Sequence, residues 1–178
     1  ISLAERQTLT LRERLREQEW RIGVLIRNAE ANESISRRLT DWCVHLISEA
    51  NPQLLPGAIA MGLAEAFDIE HVALRLWNLP HLEAGNGYAE SVSEDVRTFA
   101  DSLKTPYCGN DTEFEAAAWL EAKPKSLALI ALRPGDDELS IGLLVLGSDD
   151  PARFDPEMGT AFLESIAELA CAALRRLS

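Results

Sequence analysis

The chain has 178 residues, of which 47% are hydrophobic, so it is long enough to bury the core of one domain. Its net charge of −12 lies entirely in residues 51–178, because residues 1–50 balance eight arginines against eight acidic residues. An acidic surface repels phosphate backbones and anionic lipids, which excludes nucleic-acid and membrane binding from the expected functions.

Residues 2–50 are predicted to be helical almost throughout, because they contain no proline and one glycine, Gly23. Apolar residues recur at alternating spacings of four and three, which is typical of a coiled coil. This row consists of Leu11, Leu15, Ile22, Leu25, Ala29, Leu39, Cys43 and Leu46. Gln18, Asn32 and Ser36 interrupt it, and they either fix the register or mark a break between two helices near residues 28–34.

An apolar stripe of this length needs a partner, and a second copy of the chain is the simplest one. We therefore expect a homodimer in which the first half of this helical stalk pairs as a coiled coil. The alternative is that residues 1–30 fold back on their own domain or are ordered only by crystal neighbours.

Asn51 and Pro52 are predicted to end the stalk, and a second helix is expected over residues 55–67. Residues 71–78 then alternate as a strand does, with Val72, Leu74 and Leu76 facing a core. The other face of this strand carries His71, Ala73, Arg75 and Trp77. An arginine and a tryptophan among smaller residues are typical of a pocket wall, so we expect this face to line one.

Residues 79–91 are rich in turn residues, and residues 88–92 are a candidate short strand. Ser93 is predicted to cap a helix that runs to residue 103. We expect a loop over residues 105–112 and a short helix over residues 113–120.

Two apolar strands are predicted over residues 127–133 and 139–146, joined as an antiparallel hairpin by the turn at residues 134–138. A final helix is expected to begin at Asp155, which can cap it, with Pro156 in the first helical position. Its expected apolar face consists of Met158, Phe162, Ile166, Leu169, Ala173 and Leu177.

Residues 142–163 read GLLVLGSDDPARFDPEMGTAFL, and this stretch resembles the C-terminal signature of the DUF484 family, bacterial proteins of unassigned function. The segments at residues 28–33, 72–77 (VALRLW) and 106–109 (PYCG) are similar to that family as well. The resemblance implies an α+β, GAF-like fold, in which an antiparallel sheet has helices on one face and a small-molecule pocket on the other. It implies no activity. On this basis residues 1–50 form the stalk and residues 51–178 the GAF-like domain.

The three cysteines form no C-x-x-C pair, and their odd number argues against a disulfide framework, which favours a cytoplasmic protein. No segment predicts a transmembrane helix or a signal peptide, although the sequence starts at Ile1 and a longer native chain is expected. The histidines His45, His71 and His81 lie in different elements without partners at a metal-binding spacing, so we expect no metal site and no cofactor.

Two features are candidates for chemistry. Cys108 lies in a predicted loop beside Gly109, where a thiol with a lowered pKa acts as a nucleophile, but no resolving cysteine is near in sequence. Asp149, Asp150 and Arg153 form a polar cluster between a strand and a helix, where turn-forming hydrogen bonds are sufficient to explain them.

The residues that we expect to line a pocket are Arg75, Trp77, Tyr107, Cys108 and Gly109. A buried arginine needs a charged partner, so the expected ligand is small and partly anionic. Three hypotheses stay open: a non-enzymatic sensory or regulatory homodimer with a small-molecule ligand, a dimerisation scaffold whose pocket is filled by its own side chains, and a cysteine-based redox enzyme. In each regulatory case the output passes through an unidentified partner protein.

Overall fold

The computed structural model describes residues 2–135, 137–157 and 159–178. Its internal contacts divide the chain into a unit up to Thr40 and a unit that begins at Asp41. No helix within the described ranges is long and apolar enough to cross a lipid bilayer.

Helix α1 runs from Leu3 to Ser48 without a break, so the polar seam positions interrupt the apolar row but not the helix. In the described part of the first unit no side chain is buried, and the seam residues Leu11, Leu15, Ile22 and Leu25 are each more than half exposed. Trp42 and Leu46, in the last turns of α1, are buried within the second unit.

The second unit is built on a four-stranded antiparallel sheet with strand order β1-β4-β3-β2. The strands are β1 (His71–Leu76), β2 (Tyr107–Gly109), β3 (Ser126–Leu132) and β4 (Gly142–Ser148). The two central strands, β3 and β4, are apolar on both faces and almost wholly buried, which is why their sequences do not alternate. The predicted α+β fold with an antiparallel sheet is confirmed.

Helices cover both faces of this sheet. On one face lie α2 (Leu55–Phe67) and α4 (Ala161–Leu174), which pack against β1 and β3 respectively. On the other face lie α3 (Glu94–Ser102) and the 3-10 helix Glu115–Trp119. As predicted, Ser93 caps α3, because its hydroxyl accepts a hydrogen bond from the Val96 amide at 3.2 Å.

Helix α4 begins later than the sequence suggested. Asp155 does not cap it, since its carboxylate accepts a hydrogen bond from the amide of Glu157 at 2.7 Å and so forms a local turn. The helix starts at Ala161 after Thr160, whose side chain makes no capping bond. Met158, which we assigned to the apolar face, lies outside the described residues.

Two further expectations are wrong. Residues 107–109, predicted to be part of a loop, form β2 and pair with residues 127–129 of β3. Residues 88–92 form no strand, and a single bond from the Leu76 amide to the Tyr88 carbonyl, at 2.8 Å, joins this segment to β1.

Candidate functional site

The five residues expected to line a pocket lie at opposite edges of the sheet. Arg75 belongs to β1 and Trp77 follows it, whereas Tyr107, Cys108 and Gly109 make up β2. Strands β4 and β3 stand between these edges, a separation of roughly 14 Å for three strand spacings. The fold therefore does not gather the five around one cavity, and ligand binding by them stays a prediction.

The strand register also divides the five between the two faces of the sheet. Tyr107 and Gly109 pair with Leu129 and Leu127, which face α3, as do Arg75 and Trp77. Cys108 pairs with Ala128 and so faces the side of α2 and α4.

The face that the resemblance assigned to a pocket is a packed core. Side chains of α3 and of the 3-10 helix fill the space above β1, β4 and β3. The buried cluster contains Ala73, Trp77, Val96, Ala100, Ala116, Ala117, Leu120, Leu127, Leu129, Leu143 and Val145. Trp77 is only 7% exposed, and its indole N–H donates a hydrogen bond to the Ser140 carbonyl at 2.8 Å. Trp77 thus serves as a filling side chain rather than an open wall.

Arg75 has partners within its own chain. Its guanidinium group forms an ion pair with Glu90 and lies 5.7 Å from the centre of the Trp119 ring. The side chain is 21% exposed, so this charge is neither isolated nor fully desolvated. The argument that Arg75 requires an anionic ligand therefore loses its premise, because Glu90 supplies the negative charge.

Aromatic packing holds the Tyr107 end of β2. The Tyr107 ring meets that of Phe114 edge to face, with 5.0 Å between the ring centres. A side chain at Gly109 would meet the Tyr107 hydroxyl, since a Cβ at this position would lie 2.5 Å from that oxygen. Glycine at this position therefore lets the tyrosine fold back over its own strand.

Cys108 does not have the environment of a reactive thiol. It is buried, and burial raises the pKa of its thiol, so little thiolate forms at neutral pH. Cys171 is also buried, and burial raises its pKa to about 11. The geometry gives no support to a cysteine-based redox enzyme.

The polar cluster after β4 fixes the loop. Arg153 donates a hydrogen bond to the Phe67 carbonyl at 2.5 Å, and Asp150 accepts one from the Ala152 amide at 2.9 Å. Asp149 lies 3.3 Å from the imidazole of His71. Across the described part of the chain, no three His, Cys, Asp or Glu side chains are grouped as metal ligands.

An open groove of about 390 Å³ runs beside β1. Its wall on the α2 side is formed by Ala60, Met61 and Ala64, and Met61 is 70% exposed. Its opposite wall contains Trp119 and Glu121. This groove, which we call the β1 groove, is where Arg75 reaches open space.

Sequence reasoning missed the partners of Arg75. Glu90 and Trp119 lie 15 and 44 residues further along the chain and share no motif or spacing with it. The sequence indicated only that a buried arginine needs a negatively charged partner. That requirement does not identify which of the many carboxylates in the chain is the partner.

A family model described as "Protein of unknown function, DUF484" matches residues 1–178. Among solved structures, the GAF domain of a putative sensor histidine kinase from Pseudomonas syringae pv. tomato is 21% identical, with a TM-score of 0.54, and the match covers 84% of this chain and 91% of that one. The GAF domain of a phosphoenolpyruvate-protein phosphotransferase from Coxiella burnetii is 13% identical, with a TM-score of 0.62 and coverage of 81% and 94%.

The free methionine-R-sulfoxide reductase from Neisseria meningitidis, solved with its substrate, is 18% identical, with a TM-score of 0.58 and coverage of 79% and 88%. At these identities the likeness shows a shared fold and no more. No curated protein matches the chain.

Proposed function

The chain belongs to the DUF484 family, and from this premise we propose that it is a non-enzymatic regulatory module that acts as a homodimer held together by α1. The observation that carries the proposal is the exposed apolar row of α1. Leu11, Leu15, Ile22 and Leu25 are each more than half exposed, and they recur at the spacing of a coiled-coil seam. A helix with such a seam gains most by pairing with a copy of itself.

Charge supports the same pairing. Residues 1–50 carry no net charge, so two copies of this segment do not repel each other, in contrast to the acidic remainder of the chain. Arg14 directly precedes the seam residue Leu15, and Glu19 follows it by four residues. In a parallel pair of helices these two flanking positions face each other across the seam, so that each copy's Arg14 meets a carboxylate.

The regulatory role rests on the fold and on what the domain does not offer. GAF domains of a sensor histidine kinase and of a phosphotransferase share this architecture. The two buried thiols are poorly suited to catalysis, since burial disfavours the thiolate of Cys108 and Cys171. The sheet face opposite α2 and α4 is filled by the protein's own side chains, which favours a module that signals through protein contacts over one that signals by holding a ligand there.

The dimer is tested by placing a charge in the seam. Leu15→Asp should weaken dimerisation by about 3 kcal/mol, or roughly a hundredfold in dissociation constant, because each copy would bury an unpaired carboxylate. Sedimentation velocity over a concentration series of the full chain measures this constant. Leu9→Asp is the matched control, because Leu9 is also more than half exposed on α1 but lies outside the seam. A wild-type protein that sediments as a monomer at micromolar concentration would contradict the proposal.

Ligand binding is tested separately by native mass spectrometry of the freshly purified protein. A bare dimer mass is expected if the domain is a scaffold filled by its own side chains. A bound mass that disappears on denaturation would instead support a sensory role with a small-molecule ligand.

A further inference from the structure

Strand β1 is an edge strand with unused hydrogen-bonding groups. Its odd-numbered residues face β4, as the bond from the Trp77 amide to the Ile141 carbonyl at 2.8 Å shows. Its even-numbered residues therefore point their backbone groups away from the sheet. The amide of Leu76 is occupied by Tyr88, but the outward amides and carbonyls of Val72 and Leu74 have no partner within the described chain.

The β1 groove gives this free edge two chemically different walls. On the α2 side the wall is apolar and shallow, because Ala60 and Ala64 are small and Met61 is unbranched and exposed. On the opposite side the wall carries Trp119 and the exposed carboxylate of Glu121. Side chains of an added strand would point alternately to these two walls.

We propose that the β1 groove binds an extended, basic segment of a partner protein as a fifth strand of the sheet. Backbone bonds to Val72 and Leu74 would hold the segment, apolar residues would face α2, and basic residues would face Glu121. The inference rests on the proposed regulatory function, because the groove would supply the surface through which such a regulatory module reaches its partner.

Charge selects this occupant over a second copy of the chain. Glu70, Glu90 and Glu121 line the groove against one arginine, and that arginine is already paired with Glu90. If β1 paired with β1 of a second copy, two such acidic grooves would come together. Residues 51–178 of each copy carry nine basic and 21 acidic residues, so the two copies would repel each other there. A basic segment neutralises these carboxylates instead.

The test uses the full chain and a capped synthetic peptide of about nine residues that alternates lysine and valine, a length that is ample for one strand. Amide hydrogen exchange is followed by NMR with and without the peptide. Saturating peptide should slow exchange of the Val72 and Leu74 amides by about tenfold and leave those of Ala73 and Arg75, which already bond to β4, unchanged. The same peptide with N-methyl groups on the edge that faces β1 should not bind. Equal binding of the methylated peptide, or protection only at other sites, would overturn the proposal.

A pair of charge variants tests the orientation of the bound segment. Glu121→Lys should weaken peptide binding by about fivefold, whereas Glu157→Lys, which changes the net charge equally at an exposed site outside the groove, should have no comparable effect. Equal weakening by both variants would show non-specific attraction and would refute a built site.

The two proposals can fail independently. Leu15→Asp breaks the α1 dimer, and peptide binding to the β1 groove should survive in that variant. If Val72 and Leu74 are instead protected in the free protein, and the chain stays dimeric in Leu15→Asp, then a second copy occupies the groove and the partner-binding proposal is wrong.

Discussion

Trp77, a candidate residue for a pocket wall, is buried in the core of the domain. Its indole N–H reaches the carbonyl of Ser140, 63 residues away, and Arg97 lies 5.9 Å from the centre of its ring. Trp77→Phe keeps an aromatic ring but removes the donor and part of the buried volume. We expect a loss of about 1–3 kcal/mol in the free energy of unfolding, measured by urea denaturation. Trp20→Phe, at an exposed tryptophan, should change it by no more than about 0.5 kcal/mol.

The charge state of Asp101 is expected to link pH to stability. Burial alone would raise the pKa of this carboxyl, but hydrogen bonds from the Ser140 hydroxyl and amide, with the charges of Arg133 and Lys104, hold the pKa below its usual value of 3.8. Because the folded pKa is lowered, the stabilisation is complete above the unfolded pKa and is lost as pH falls through the folded value.

Asp101→Asn should therefore be less stable than the wild type at neutral pH, and the difference should shrink below about pH 4. Urea denaturation of both proteins at a series of pH values measures the difference. A gap that stays constant down to about pH 3 would show that the carboxylate charge contributes nothing.

At the scale of elements, helices α3 and α4, which cover opposite faces of the sheet, begin differently: α3 has a side-chain cap and α4 has none. The Ser93 hydroxyl accepts the Val96 amide at the start of α3 and also donates to the Glu115 carboxylate at 2.9 Å, which ties α3 to the neighbouring 3-10 helix. Ser93→Ala should reduce the free energy of unfolding by about 1 kcal/mol, since it removes a cap that the chain cannot replace. Thr160→Ala, at the position before α4, should change the free energy of unfolding by only about 0.3 kcal/mol, because the Thr160 side chain makes no capping bond. Thermal and urea denaturation of both variants measure these losses. Equal losses of stability in the two variants would contradict a capping role for Ser93.

Local sequence patterns predicted the long elements and failed at the short ones. The apolar runs in β3 and β4 and the cap at Ser93 carry their own signals, because burial and capping depend on neighbours in sequence. Asp155 is an equally good capping residue by type, but its carboxylate accepts the Glu157 amide in a local turn, and α4 begins only at Ala161. Strand β2 has three residues, too few for any periodicity to appear.

The candidate site could be predicted only in part for a similar reason. Alternation along β1 correctly placed Arg75 and Trp77 on one face of the sheet. It could not show that α3 would cover Trp77, or that Glu90 would pair with Arg75, because both contacts depend on how the loops after β1 are folded. The open edge at Val72 and Leu74 was equally hidden, since it exists only because residues 88–92 do not pair with β1 beyond a single bond.

At the scale of the whole molecule, charge and apolar surface are divided between the two parts of the chain. The first 50 residues are neutral and carry the exposed apolar row, whereas the remainder is acidic and buries most of its large apolar residues against the two faces of the sheet. This division suits a protein that self-associates through α1 and presents its acidic domain to others. The polar seam residues are then the feature that should limit how α1 associates.

Asn32 lies at a seam position of α1, where a leucine would pack more tightly against a second copy. Buried polar seam residues lower the stability of a coiled coil and restrict its register and number of strands. Asn32→Leu should therefore stabilise the association by about 2 kcal/mol per chain while allowing species larger than the dimer. Sedimentation velocity measures the species, and thermal unfolding at fixed protein concentration measures the stability. Ser34→Leu, on the opposite side of α1, is the matched control and should change neither. If Asn32→Leu leaves both quantities at their wild-type values, the seam does not extend to residue 32, and any pairing of α1 is confined to its first half.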